Sequence, residues 1–202
     1  MKGDILIIDE NHRKAASQVV PLIIDDAKKS NKKYVISVAG ESGAGKSEVA
    51  ASIAELLMDH NLETFIFAQD DYFIYPPKTN EDKRKEDISW VGTNEVKLDV
   101  LDDNLRDGIA GVNPIVKPMV DFKANMIAEE TIDLDKYDVL IVEGTYTTIL
   151  QNVDCRIFIN RNKMDTVEAR KKRNREAQNQ FLDNVLTIEH NIISKHKDLA
   201  DI

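Results

Sequence analysis

Residues Tyr34 to Ser47 read YVISVAGESGAGKS, a short apolar run that opens into a glycine-rich octapeptide. The run Tyr34 to Gly40 is short and rich in Val and Ile, so it is expected to be a buried strand. From Ser47 to His60 the residues Val49, Ile53, Leu56 and Leu57 make one apolar helix face. Strand, glycine loop, helix is the order required by G-x-x-x-x-G-K-[ST], here Gly40, Glu41, Ser42, Gly43, Ala44, Gly45, Lys46 and Ser47. Gly43 and Gly45 let the backbone curl until its N–H groups face phosphate oxygens. The helix start, running into Glu48, adds the positive end of its dipole. Lys46 then reaches the outer phosphates, and the Ser47 hydroxyl is placed for a metal. The ligand expected here is a nucleoside triphosphate, ATP with Mg²⁺.

Working outward, Thr64 to Ala68, Asp138 to Val142 and Arg156 to Ile159 are short runs rich in Ile, Val or Phe, separated by helix-like or polar segments. That alternation predicts an α/β fold with a parallel sheet. Upstream, Ala15, Ala16, Val19, Val20, Ile23 and Ile24 predict a helix from about Asp9 to Lys29, with Asp9 as N-cap and Pro21 as a kink or break. It makes residues 1–32 an N-terminal helical extension. The segments Pro76 to Asp87 and Gly108 to Pro118 read as loops. Phe181, Val185, Ile188 and Ile192 predict a final amphipathic helix. Residues 1–202 are expected to form one domain.

Composition narrows the chemistry. With 27 basic against 36 acidic residues and a net charge of -9, the chain is not built to hold a nucleic-acid backbone or an anionic membrane. No apolar run approaches the ~20 residues a spanning helix needs, and Asp4, Asp9 and Glu10 interrupt the N-terminus, so a cytoplasmic address is expected. The single cysteine, Cys155, reads as a partly buried structural thiol.

Three further stretches carry chemistry. FAQDDYF puts Asp70 and Asp71 at a strand's carboxyl end, where open α/β sheets gather their ligands. Asp70 is the preferred general base for an acceptor hydroxyl and is also placed to touch Mg²⁺. DVLIVEG delivers Glu143 to the equivalent end of another strand, as an acidic residue beside the metal, and Gly144 lets the chain turn closely past it. Between Arg161 and Arg175 stand seven basic and two acidic residues. This cationic stretch reads as a lid over about residues 161–180, in which Arg170 and Arg173, one turn apart, clamp the transferring phosphoryl group. Asn162 to Asp165 spell N-K-x-D, a guanine-reading pattern, which supports an alternative: an ATPase or GTPase switch acting on a protein partner. The D-x-x-G expected of a GTPase after the central strand is replaced by Glu143-Gly144.

In their order, GESGAGKS, QDDYF, PMVDF, VEGT, a basic helix and a closing ADI resemble the uridine kinase and phosphoribulokinase group of P-loop kinases. The resemblance implies a parallel five-stranded sheet flanked by helices with a mobile lid. It implies ATP-dependent phosphorylation of a hydroxyl on a small acceptor, nucleoside or sugar-like. Asp70 then looks like the catalytic base, Ser47 and Glu143 like the Mg²⁺-side residues, and Lys46 keeps its phosphate role. Asp71, Tyr72, Trp90, Asp121, Phe122 and Asn125 lie in the segments that build the family's acceptor pocket. Uridine kinases carry a tyrosine before that Asp-Phe and a histidine three places after the Phe, both touching the nucleoside. Here those places hold Val120 and Asn125. The family's Arg-Gly-Arg in the lid is replaced by Gln178, Asn179 and Gln180. The partner expected is a small-molecule phosphate acceptor, with homo-oligomerisation an open alternative.

Overall fold

The computed structural model describes residues 6–162, 164–167 and 179–202. Four strands, β1 (Tyr34–Gly40), β2 (Thr64–Ala68), β5 (Val139–Gly144) and β6 (Cys155–Ile159), form a parallel sheet in the order β2-β5-β1-β6. β1 and β5 take the central places and are buried along their whole length. Successive side chains leave a strand on opposite faces. Ile36, Val38, Val139 and Ile141 therefore serve one core, and Val35, Leu140 and Val142 the other.

The first core is closed by α1 (Glu10–Lys29) and α2 (Lys46–Met58) through Val20, Ile23, Val49, Ile53 and Leu57. Each of these fully buried aliphatic side chains contributes about 1.5–3 kcal/mol. The second core is closed by α4 (Leu98–Ile109) through Leu101 and Leu105, which completes a three-layer α/β arrangement. A separate antiparallel hairpin, β3 (Ile115–Asp121) and β4 (Met126–Ile132), and two further helices, α3 (Pro77–Glu86) and α5 (Gln180–Ile193), stand around the carboxyl end of the sheet.

Four expectations change. The parallel sheet has four strands among the described residues rather than five. At its edge, the Asp201 N–H donates to Arg156 O (2.8 Å) and the Phe158 N–H to Ile202 O (2.9 Å). Pro21 does not break α1, which runs through it, because the buried stripe of Ala16, Val19, Val20, Ile23 and Ala27 brackets the proline on both sides. Pro76 to Asp87 is a loop only at its ends. α3 starts on Pro77, and ion pairs such as Lys85 to Glu81 (2.7 Å) line its exposed side. Gly108 to Pro118 is loop only between α4 and β3: Gly108 is helical, and a Cβ there would meet Leu140 and Leu134 at 3.0 and 3.1 Å. Cys155 is buried, and burial pushes its thiol up to about 11.

Candidate active site

Sheet register sets the site. Ala39 is level with Gly144, Val38 with Glu143, and Ala68 with Glu143, so β1, β2 and β5 end at one height. The loop after β1, the turn after β2 and the end of β5 therefore open into the same space. In the loop, Gly43 and Gly45 sit at φ +81° and +95°, where an L side chain is strained. The Ala44 N–H donates to Glu41 O at 3.0 Å, and Lys46 folds back across the loop to place Nζ 3.1 Å from the same carbonyl. Ala44 within the loop and Glu48 in the first turn of α2 are buried.

Beyond β2 the chain makes a single 3-10 turn, Gln69–Tyr72. Gln69 is buried, and its Oε1 accepts the Tyr146 N–H at 2.7 Å. This clamps the start of the turn to the segment after β5. Gly144 makes the approach possible, because a Cβ there would lie 2.3 Å from Gln69 Cβ.

A cavity of about 380 Å³ fills the space above the strand ends. Ser42, Gly43, Lys46 and Ser47 form one wall, and Gln69, Asp70, Glu143, Thr145 and Tyr146 the floor. α3 supplies Lys78, Asn80, Glu81 and Arg84, and α5 supplies Leu182, Val185, Leu186 and Glu189. Phe73, Pro77 and Phe122 complete it. Burial first, then the charge of Asp70, pushes the Glu143 carboxyl up to about 7, against the pull of Lys46 and a hydrogen bond with Ser47. Two carboxylates and a hydroxyl that converge in this way make a set of hard oxygen donors. Among the described residues no group of three His, Cys, Asp or Glu side chains could hold a metal. Mg²⁺ fits such a site, since it takes one or two carboxylates and completes its shell with water and substrate phosphate.

The far wall is held by a charged network. Glu95, wholly buried, accepts from Arg84 Nε (2.5 Å) and Nη2 (3.0 Å), from Asn80 Nδ2 (2.6 Å) and from the Gly92 N–H (2.8 Å). Arg84 also lies 3.5 Å from Glu189, whose Oε2 accepts the Ser42 hydroxyl at 2.8 Å. His190 Nδ1 lies 2.6 Å from Glu41 Oε1. The phosphate loop is thus tied to α5 at two adjacent residues, and through Arg84 to α3.

Of the residues expected at the acceptor pocket, the structure brings Phe122 to the cavity and directs the others elsewhere. Asp71 is buried, with its carboxylate accepting from Lys117 Nζ (2.9 Å) and the Val120 N–H (3.0 Å). Tyr72 is wholly buried and donates to Asn104 Oδ1 at 2.8 Å; burial raises its pKa. Trp90 donates from Nε1 to Asn80 Oδ1 at 2.9 Å, behind the wall. Asp121 caps the hairpin turn by accepting the Ala124 N–H (2.9 Å), and Asn125 accepts the Lys78 N–H (2.8 Å) at the start of α3. Arg170 and Arg173 lie outside the described residues. Sequence reasoning missed Gln69, Asn80, Arg84, Glu95 and Glu189. The i, i+4 spacing of Asn80 and Arg84 within a segment read as loop was the available signal.

The model of the phosphoribulokinase / uridine kinase family matches residues 35–187. The chain belongs to this family. The uridine kinase of Ureaplasma urealyticum serovar 10 is 28% identical over 157 residues, covering 76% of this chain and 74% of the relative. A uridine kinase of Staphylococcus epidermidis is 29% identical over 187 residues, covering 85% and 87%. The solved structure of a possible uridine kinase from Bacillus stearothermophilus superposes with a TM-score of 0.67 at 15% identity, covering 94% and 97%, and shares the fold. The protein is a phosphotransferase that acts on a hydroxyl group of a small metabolite. No described helix is long and apolar enough to cross a membrane. Helix α1 precedes the matched residues.

Proposed function

We propose that the protein is an ATP- and Mg²⁺-dependent kinase that transfers the γ-phosphate to a hydroxyl of a nucleoside-like or sugar-like metabolite. The observation that carries the reading is the shared cavity: Lys46 and Ser47 of the phosphate loop face it together with Asp70 and Glu143. In this reading the loop N–H groups and Lys46 hold the phosphates. Asp70 accepts the proton of the acceptor hydroxyl as the new P–O bond forms and the bond to the β-phosphate oxygen breaks. Ser47 and Glu143, with Asp70 nearby, would hold Mg²⁺, which when bound would supply neutralisation of charge on the β- and γ-phosphates. Arg170 and Arg173 are assigned to clamp the transferring group.

The apolar surfaces of Phe73, Phe122, Leu182, Val185 and Leu186, set beside the polar groups of Gln69, Asn80 and Glu81, suit a ring that carries hydroxyls. The relatives named uridine kinase favour a nucleoside. Val120, buried at the place of the family's tyrosine, and Asn125, engaged with α3, argue for an acceptor gripped differently. ATP as donor fits a cytoplasmic address. The test is transfer from MgATP across nucleosides, sugars, sugar phosphates and vitamins, with Asp70→Asn and a blank lacking acceptor. Acceptor-dependent transfer abolished by Asp70→Asn is the expected result. Equal hydrolysis with and without acceptor would replace it with the ATPase or GTPase switch.

A further inference from the structure

Helix α1 lies outside the family-matched residues, yet its first turn reaches the phosphate loop. The tip of the His12 ring stands where a side chain on Gly45 would go: a Cβ there would lie 2.7 Å from Nε2 and 3.0 Å from Cδ2. The ring is not free to turn away. Asp9 and His12 form a capping box, in which Asp9 Oδ1 accepts the His12 N–H (3.2 Å) and His12 Nδ1 accepts the Asp9 N–H (3.1 Å). Nδ1 also lies 3.0 Å from Asp9 Oδ1. When the ring is neutral, Nδ1 accepts from the backbone and the hydrogen sits on Nε2. With Nδ1 accepting, Nε2–H is presented beside the last glycine of the loop.

Topology says which end of a nucleotide this hydrogen would meet. β2 and β5, which bring Asp70 and Glu143, lie on one side of β1, and β6 lies on the other. With the terminal phosphate in the cavity over β2 and β5, the nucleoside end leaves toward β6. Ala16, Val19 and Val20 of α1 share a core with Cys155 and Ile157 of β6, so α1 packs on the β6 side of the loop, and the charge of Arg161 just beyond β6 lowers the Asp9 pKa. We propose that His12 is a nucleotide-binding residue contributed by the N-terminal extension, its Nε2–H donating to an oxygen at the nucleoside end of the bound nucleotide, on the α-phosphate or ribose. The inference rests on the nucleotide reading of the loop.

The test is calorimetric titration of the full chain with MgADP, and with magnesium tripolyphosphate as a probe that lacks a nucleoside. His12→Ala removes the ring, His12→Phe keeps a ring against Gly45 but no donor, and Arg13→Ala alters a neighbour that pairs with Glu55 in solvent. Both His12 variants are expected to weaken MgADP roughly five- to tenfold, the loss of one hydrogen bond to a charged or polar ligand, and to leave tripolyphosphate within about twofold. Arg13→Ala is expected to match the wild type. If His12→Phe binds MgADP like the wild type, or if both probes weaken equally, the donor role is overturned while the phosphate loop stands. If the wild type binds neither probe, the nucleotide reading falls and takes this inference with it.

Discussion

Replacing Gly144 with alanine tests whether the two halves of the site are locked by close packing. Gly144 is absent from the positive-φ residues, so alanine meets no backbone penalty there. The cost is steric. The new methyl would lie 2.3 Å from Gln69 Cβ, 2.7 Å from its Oε1 and 2.8 Å from its Cδ, whereas carbon pairs settle near 3.5–4.0 Å. Gln69 cannot swing aside, because the nearest atom is its Cβ and the residue is buried. Overpacking of this kind costs about 1–3 kcal/mol. Moving Gln69 also breaks the bond from the Tyr146 N–H to its Oε1, and an unsatisfied buried amide costs about 1–3 kcal/mol more. The expected loss is therefore about 2–6 kcal/mol in urea unfolding. Gly111→Ala is the control: Gly111 has φ +77° with open space around it, so alanine there brings only left-handed strain, about 1–2 kcal/mol. Because Gln69 adjoins Asp70 and Gly144 adjoins Glu143, phosphoryl transfer should fall in Gly144→Ala even where the protein is fully folded. A Gly144→Ala protein no less stable than Gly111→Ala, with transfer intact, would refute the close-packing argument.

Neighbouring aspartates should separate chemistry from stability. Asp70→Asn is expected to abolish transfer and leave the unfolding midpoint almost unchanged, while Asp71→Asn, by weakening the buried pair with Lys117, should cost about 2–4 kcal/mol measured in urea. Glu95→Gln removes the charge that Arg84 and Asn80 share and is expected to cost about 2–4 kcal/mol, with a rise in the acceptor KM as α3 loosens. His196 is buried, and burial lowers its pKa from 6.5, so the unfolded chain takes up a proton near pH 6.5 that the folded chain refuses. Its contribution to stability is complete above pH 6.5 and is lost as pH falls toward the lowered folded value. His196→Phe should flatten the pH dependence of unfolding between pH 7 and 5 relative to the wild type.

The part of the site legible in the sequence is the part built from local pattern. β1, the glycine loop and α2 follow one another without interruption, so the motif and its context could be read together. Asp70 and Glu143 were legible because parallel strands in register end level, and a residue at or just past a strand's carboxyl end then has one place to go. Their neighbours were not legible, for a reason within the Gln69–Tyr72 turn. A 3-10 helix rotates about 120° per residue, so adjacent side chains diverge. Asp70 enters the cavity, Asp71 turns to Lys117 and Tyr72 to Asn104. Membership of an acidic, aromatic cluster in sequence therefore says little about membership of a site.

α3 shows the deeper limit. A helix is recognised by an apolar stripe, and α3 has none: its one buried residue is Asn80, and its inward side is Asn80 and Arg84. What replaces the stripe is Glu95, brought from another segment, with Glu189 of α5 behind it. The helix is stabilised by partners that exist only once the cavity wall is assembled. A polar inner side costs more to bury than an apolar one unless every group is paired, and here the pairs continue to Ser42 of the phosphate loop. The features that hid α3 from pattern reading are the same ones that join the acceptor side of the cavity to the phosphate side.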